Sequence, residues 1–332
     1  SSSANPRLRM LGELAANNGD LIVNADGIIS IRGRLSASND LELVTTASGD
    51  SKNIAVADIQ LINGAITSGQ HMLLKADTGA LVFNGGQLYS FANLTLDGLT
   101  LVDEGTSNPA QFNNTRFAGA ELNFLIDNEL IFNGTSWEAD TFRFSGANLD
   151  LAVGEGTVLK ALTLMDLDLK SLDNSGTIAS LGATDVNASS YVVNQSVGTL
   201  SAVTGSTLLT PTFTNLGNWV ASSDGAGSVT WAVTNIINDL TGVVSSASVW
   251  TLGGTNTVLN NKGTLTSDKA FNARVSSLIN SGDLTLSLRD SADASTWTIT
   301  DLSNTSSGTI FAGGDWVVNS DGARGSSITN TG

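Results

Sequence analysis

Apolar and polar residues alternate along much of this chain, and Asn and Gly break the alternation at short intervals. "DLTLSL", Asp283 to Leu288, is a clean instance, with leucine at every second position and polar residues between. Period two predicts a strand with one buried face. From Asn174 onward the breaks follow one phrase: an apolar residue, Asn, one to three residues, Gly, then new alternation. It reads "LDNSGTI", "VVNQSVGTL", "FTNLGNWV", "IINDLTGVV", "VLNNKGTLT", "LINSGDLTL", "LSNTSSGTI" and "ITNTG". Its glycines are Gly176, Gly198, Gly217, Gly242, Gly263, Gly282, Gly308 and Gly332, an uneven but persistent period. Asn and Gly at these breaks are expected to supply positive-φ corners.

A unit of about 22 residues cannot bury an apolar face alone and must stack on copies of itself. The expected fold is therefore all-β: a parallel β-helix, right-handed by the preference of parallel crossovers. With coils about 4.8 Å apart, some 15 of them would make a rod roughly 70 Å long. Longer echoes support the repeat. "VTWAVTNIINDLTG" from Val229 returns as "STWTITDLSNTSSG" from Ser295, aligning Trp231 with Trp297, Asn238 with Asn304 and Gly242 with Gly308. "GNWVASSDGA" from Gly217 returns as "GDWVVNSDGA" from Gly314. Both offsets are near whole multiples of the unit. Trp231, Trp250 and Trp297 are expected at equivalent places on their coils, as stacked core aromatics or as an exposed carbohydrate-binding ladder, with the core favoured.

The grammar divides the chain into three: repeats over 1–100, an irregular aromatic-rich segment over 101–146, and regular Asn-Gly repeats over 147–332. Eight of the eleven phenylalanines lie between Phe83 and Phe144. The chain stops mid-motif at "ITNTG", which predicts a piece of something longer.

Composition narrows the function. Hydrophobic residues make up 41% and charged residues only 14%, a mix that supports a core of short strands. A net charge of −16 argues against nucleic acid and anionic membrane surfaces, which need clustered Lys and Arg. The absence of cysteine removes thiol catalysis, thiolate metal sites and disulfides.

Because β-helices also host polysaccharide-degrading enzymes, acidic candidates need weighing. Asp166 and Asp168 in "MDLDLK" share a strand face about 7 Å apart, with Lys170 next in line. Asp58, Asp77 and Asp97 recur at close to the repeat interval and could stack on neighbouring coils. A solvated acidic face explains both sets more simply. His71 is the only histidine and no G-x-S-x-G elbow accompanies it, so a Ser/His/Asp triad is not expected. Asp224 and Asp321 read as ordinary Asp-Gly turns. The expectation is no catalytic residue, no metal and no cofactor.

"NNGDLIVNADGIISIRGRL" near the start, the serial Asn-x-Gly units and the "W-T-φ-T" strands resemble the stalk of filamentous-haemagglutinin-type exoproteins. That class includes the CdiA-type effectors of contact-dependent growth inhibition. The resemblance covers most of the chain, but the family's NPNL and NPNGI secretion motifs do not occur and no toxin domain is visible. It implies an interior β-helical segment of a two-partner-secretion protein, extracellular on the bacterial surface, exported through an outer-membrane transporter. It implies a monomer that binds an outer-membrane protein or surface glycan such as lipopolysaccharide on a neighbouring cell. A passive spacer is the alternative, and a polysaccharide-degrading enzyme a more distant one.

The contact surface is expected between Val102 and Phe144, where the period blurs. Regular coils present a flat polar face, and affinity usually comes from a few aromatic and Arg anchors. Phe112, Arg116, Phe117, Trp137 and Arg143 are the candidates, with Pro109 marking a loop that leaves the coil. Phe124, Phe132, Phe142 and Phe144 are expected to form an interior aromatic stack instead.

Overall fold

The computed structural model describes residues 7–46, 58–84, 87–103, 116–118, 121–126, 129–132, 136–254, 256–288, 294–320 and 327–331. Among these residues there is no helix. The chain is a parallel β-solenoid with coils of about 22 residues. Among the described residues its turns number about 12, below the 15 obtained by dividing length by repeat. Two compact units, residues 1–162 and 163–332, make up the chain.

In the unit 163–332 the coil register is the glycine spacing itself. Thr177 pairs with Thr199, and the column continues through Asn218, Val243, Thr264, Asp283 and Thr309. Each of these is the residue directly after its unit's glycine, from Gly176 to Gly308. Each coil carries three strand segments, seen separately as Val249–Gly253, Val258–Asn261 and Thr264–Ser267. In the coils on either side the first two merge into one strand, Ser228–Asn238 or Phe271–Asn280. Alternation buries every second residue, as in the buried Leu265 and Ser267 of Thr264–Ser267. The "DLTLSL" strand ends earlier than its pattern, at Leu286. There Ser287 turns the corner with φ 51° and stays buried, which leaves Leu288 exposed.

The repeat asparagines form one column through this unit. Asn174, Asn194, Asn215, Asn238, Asn261, Asn280, Asn304 and Asn330 pair in register, coil to coil. Each Nδ2 donates to the Oδ1 of the next asparagine at 2.7–2.9 Å. The second amide hydrogen goes to a main-chain carbonyl, as from Asn238 to Thr264 at 3.1 Å and from Asn261 to Asp283 at 3.1 Å. Buried amides therefore keep their partners, without which each would cost about 1–3 kcal/mol.

The glycines beside this column were expected to turn corners with positive φ, and they do not. Among the described residues, positive φ occurs at Gly27, Gly156, Gly225, Gly254, Asn63 and Ser287, and at none of the repeat asparagines or glycines. What the repeat glycines supply is room. A Cβ on Gly242 would stand 2.3 Å from Asn238 Oδ1 and 2.4 Å from the Asn215 carbonyl oxygen. On Gly282 it would meet the Gly263 carbonyl oxygen at 2.1 Å. The bare corner lets the amide column and the preceding coil close in.

Large aromatics fill the interior. Trp219, Trp231, Trp250, Trp297, Phe213 and Phe271 are all buried, so the tryptophans form core and not an exposed ladder. Each full burial removes roughly 200 Å² from water, about 5 kcal/mol in transfer terms. Trp231 and Trp297 do share one column, through Leu252 and Ala273. Trp250 belongs instead to the column two positions earlier, between Val229 and Phe271. One coil after another thus places its large ring in one column and a smaller side chain in the other: Val229 with Trp231, Trp250 with Leu252, Phe271 with Ala273, Ser295 with Trp297. Two rings side by side would overfill the coil. The ring centroids run 4.6 Å from Trp231 to Trp250, 4.3 Å from Trp250 to Phe271 and 5.0 Å from Phe271 to Trp297.

The echo between the Gly217 and Gly314 phrases does not correspond to a whole number of coils. Trp219 lies on a short strand beside Leu200 and Val244, whereas Trp316 begins a strand that pairs with Ser295–Ile299. The two copies of the phrase occupy different faces.

In the unit 1–162 one column runs Leu21, Leu41, Met72, Leu94, Leu122, Phe142. The coils from Leu41 to Met72 and from Leu94 to Leu122 are longer than the rest. The aromatic-rich segment keeps register all the same, Glu121–Ile126 pairing with both Asn93–Asp103 and Ser136–Ser145. Phe124, Phe132, Phe142 and Phe144 form the expected interior stack. Phe124 and Phe144 lie face to face at 4.5 Å, with Phe132 edge-on at 5.9 Å.

Candidate recognition surface

The five anchor candidates separate in the fold. Phe112 and Pro109 lie outside the described residues. Arg116 and Phe117 lie on a strand, Arg116–Ala118, and not on a loop. That strand extends a sheet of its own through Gln87–Ser90, Ala65–Ser68, Arg34–Ala37 and Glu13–Ala16. Arg116 continues the column of the exposed Arg34 and half-buried Ala65, while Phe117 continues that of Leu35, Ile66 and Leu88, which are all buried. Trp137 is in the core, 0% exposed, 5.5 Å from Phe124 and 4.6 Å from Phe132. Its indole therefore fills the coil and presents no face to a partner. Arg143 is exposed, in register with Asn123 and between the buried Phe142 and Phe144.

Sequence reading missed two residues here, Tyr89 on the strand Gln87–Ser90 of that sheet and Phe91 directly after it. Tyr89 is 45% and Phe91 is 71% exposed, with buried Ser90 between them, so both project outward. Tyr89 pairs with Ala118 on one side and Thr67 on the other. The alternation of "QLYSF" puts Leu88 and Ser90 in one set and Tyr89 and Phe91 in the other, which was the available signal.

Asp58, Asp97, Asp168 and Asp224 make structural bonds. Asp166 and Asp168 both face outward, in register with Asp185 and Asn187. Asp168 accepts a hydrogen bond from Asn187 Nδ2 at 2.8 Å, and Asp185 one from Thr207 Oγ1 at 2.7 Å. Asp58, Asp77 and Asp97 do not fall in one register. Asp97 registers with Lys75 and pairs with its ammonium at 3.1 Å, and Asp58 accepts from the Ala80 amide at 2.9 Å. The uneven coil lengths of this unit break the spacing that suggested a column. Asp224 caps its own turn, accepting from the Ala226 amide at 2.8 Å beside Gly225 at φ 72°, and Asp321 lies outside the described residues.

His71 is exposed at a corner. Its main-chain amide donates to Asp40 Oδ1 at 3.1 Å, and its carbonyl accepts from Ser68 Oγ at 2.6 Å. The Ser68 hydroxyl is thus bonded to the backbone of this residue. Among the described residues no group of three or more His, Asp or Glu is placed to hold a metal ion. No family model, curated protein or solved structure matches the chain.

Proposed function

We propose that this chain is a recognition module that binds a component of another cell's surface, and that binding rather than catalysis is its role. The observation that carries this reading is the outward aromatic pair Tyr89 and Phe91, on and just after a strand whose sheet neighbour holds Arg116. Among the acidic candidates, Asp168, Asp97 and Asp58 are engaged by Asn, Lys and main-chain donors. The resemblance to filamentous-haemagglutinin and CdiA-type exoproteins supports an extracellular setting on a bacterial surface, with an outer-membrane protein or glycan as receptor. For residues 163–332 a spacer role is the second reading, favoured by the unbroken asparagine column.

Fluorescently labelled protein applied to a collection of bacterial surface mutants tests this. Saturable binding that one surface defect abolishes is the expected result. Absence of binding to every strain would leave only the spacer. Turnover of pectin or alginate that Asp166→Asn or Asp168→Asn abolishes would establish an enzyme instead.

A further inference from the structure

We propose that the corner carrying Tyr89 and Phe91 is a binding platform for neutral oligosaccharides, an inference that rests on the recognition reading above and names its ligand. Phe91 follows the strand Gln87–Ser90, and its amide donates to the Ser68 carbonyl at 3.1 Å, which sets it opposite Gly69 on the preceding coil. Gly69 is bare for a packing reason: a Cβ there would stand 1.9 Å from the Ser38 carbonyl oxygen. On the preceding coil, the position beside Phe91 therefore carries no side chain. Tyr89 likewise looks across Thr67 and Ser36. Two aromatic side chains rise beside a floor of small hydroxyl-bearing and bare positions.

Polar groups with both donor and acceptor capacity border the same corner. Gln70 donates its amide to the Asn39 carbonyl at 3.0 Å, and Ala92 donates to Gln70 at 2.8 Å, so Asn39 and Gln70 occupy successive coils next to Phe91. Both are exposed, as is the adjoining His71. Sugar rings offer C–H faces for aromatic rings and hydroxyls that both give and accept hydrogen bonds, as Asn and Gln side chains do.

Charge selects among glycans. The net charge of −16 disfavours sialylated or sulfated chains. Locally the two signs balance, with Asp40 at the Phe91 end and the exposed Arg34, two positions before Ser36, at the Tyr89 end, so the ligand needs no charge of its own. A neutral hexose chain is the class that fits, whether it comes from a lipopolysaccharide O-chain or a capsule.

The experiment uses the whole chain on a printed array of neutral, sialylated and sulfated oligosaccharides. Retention by neutral glycans is expected, and Tyr89→Ala with Phe91→Ala should weaken it about tenfold or more while leaving the melting temperature nearly unchanged. Should the double variant melt early, Phe91→Ala alone carries the test. Retention by anionic glycans only, no retention, or unaltered retention by the variants would overturn the proposal. Cells stripped of vicinal diols by periodate separate the two levels. Undiminished binding to treated cells sinks the glycan and leaves recognition standing, while no binding to untreated cells sinks recognition itself. Smooth and rough lipopolysaccharide, with and without O-chain, then distinguish O-chain from capsule.

Discussion

Asn238 Nδ2 donates to Asn261 Oδ1, one coil further on, at 2.8 Å, and its own Oδ1 accepts from Asn215 Nδ2 at 2.9 Å. A residue that sequence reading treats as punctuation is the middle rung of a buried amide column. Replacing Asn238 by Ala removes both links and the bond to the Thr264 carbonyl. It leaves one N–H of Asn215 and the Oδ1 of Asn261 without partners, so the expected loss is about 2 kcal/mol or more. Urea unfolding of the variant measures it, and a midpoint equal to that of the native chain would show that the column contributes nothing.

Glycine substitutions separate room from conformational freedom. Gly242→Ala drives a methyl into Asn238 Oδ1 and the Asn215 carbonyl, whereas a Cβ on Gly253 meets nothing within 4 Å. Neither glycine has a positive φ. Gly242→Ala is expected to destabilise by about 2 kcal/mol or more as an overpacked site, and Gly253→Ala to be close to neutral. Thermal melting of both variants checks the contrast.

The buried indoles differ in their N–H groups. Trp297 Nε1 donates to the Phe271 carbonyl at 2.7 Å, while Trp250 Nε1 and Trp219 Nε1 are buried with no acceptor. Trp297→Phe loses volume and orphans a bond. Trp250→Phe loses volume and removes an unsatisfied donor. Trp297→Phe should therefore cost more, by roughly 1–2 kcal/mol, as read from the two denaturation midpoints.

Arg116 and Phe117 should respond differently although they are neighbours. Phe117→Ala falls in a column of buried side chains and is expected to lower the melting temperature. Arg116→Ala continues the column of Arg34 and is expected to weaken cell binding while stability holds. Parallel melting and binding measurements decide it, and loss of stability in both variants would assign the pair to packing.

One carboxylate gives a pH signature. The Leu240 amide and then the Lys262 ammonium, 3.3 Å away, hold the pKa of Asp239 below its ordinary 3.8. A depressed folded-state pKa contributes stability above the unfolded value, lost as pH falls through the folded one. Asp239→Asn should be slightly less stable than the native chain at pH 7. The difference should vanish as the medium is acidified below the ordinary carboxylate range. Because the pair is well exposed, the effect is small and falls with added salt.

The coil register of residues 163–332 was legible in the sequence, since Gly176 to Gly308 step along the chain as Thr177 to Thr309 step through the sheet. A solenoid brings successive repeats into contact, so spacing along the chain becomes spacing in the sheet. Alternation likewise determined which leucines turn inward within a strand, Leu284 and Leu286 for example, but not that the corner at Ser287 would leave Leu288 outside. It did not determine what occupies each step beside the inward column. Trp250 falls two positions out of line with Trp231 and Trp297 because interior volume is shared between columns, a constraint set by the neighbouring coils. The role of the asparagines was hidden for the same reason: Asn174 and Asn194 are a full coil apart along the chain, and only stacking brings their amides to 2.8 Å. Candidate anchors suffered most. Trp137 and Phe91 look alike in sequence, yet Trp137 is 0% and Phe91 is 71% exposed. Which aromatic meets solvent depends on strand phase and on the packing across the coil, and those are properties of the tertiary structure.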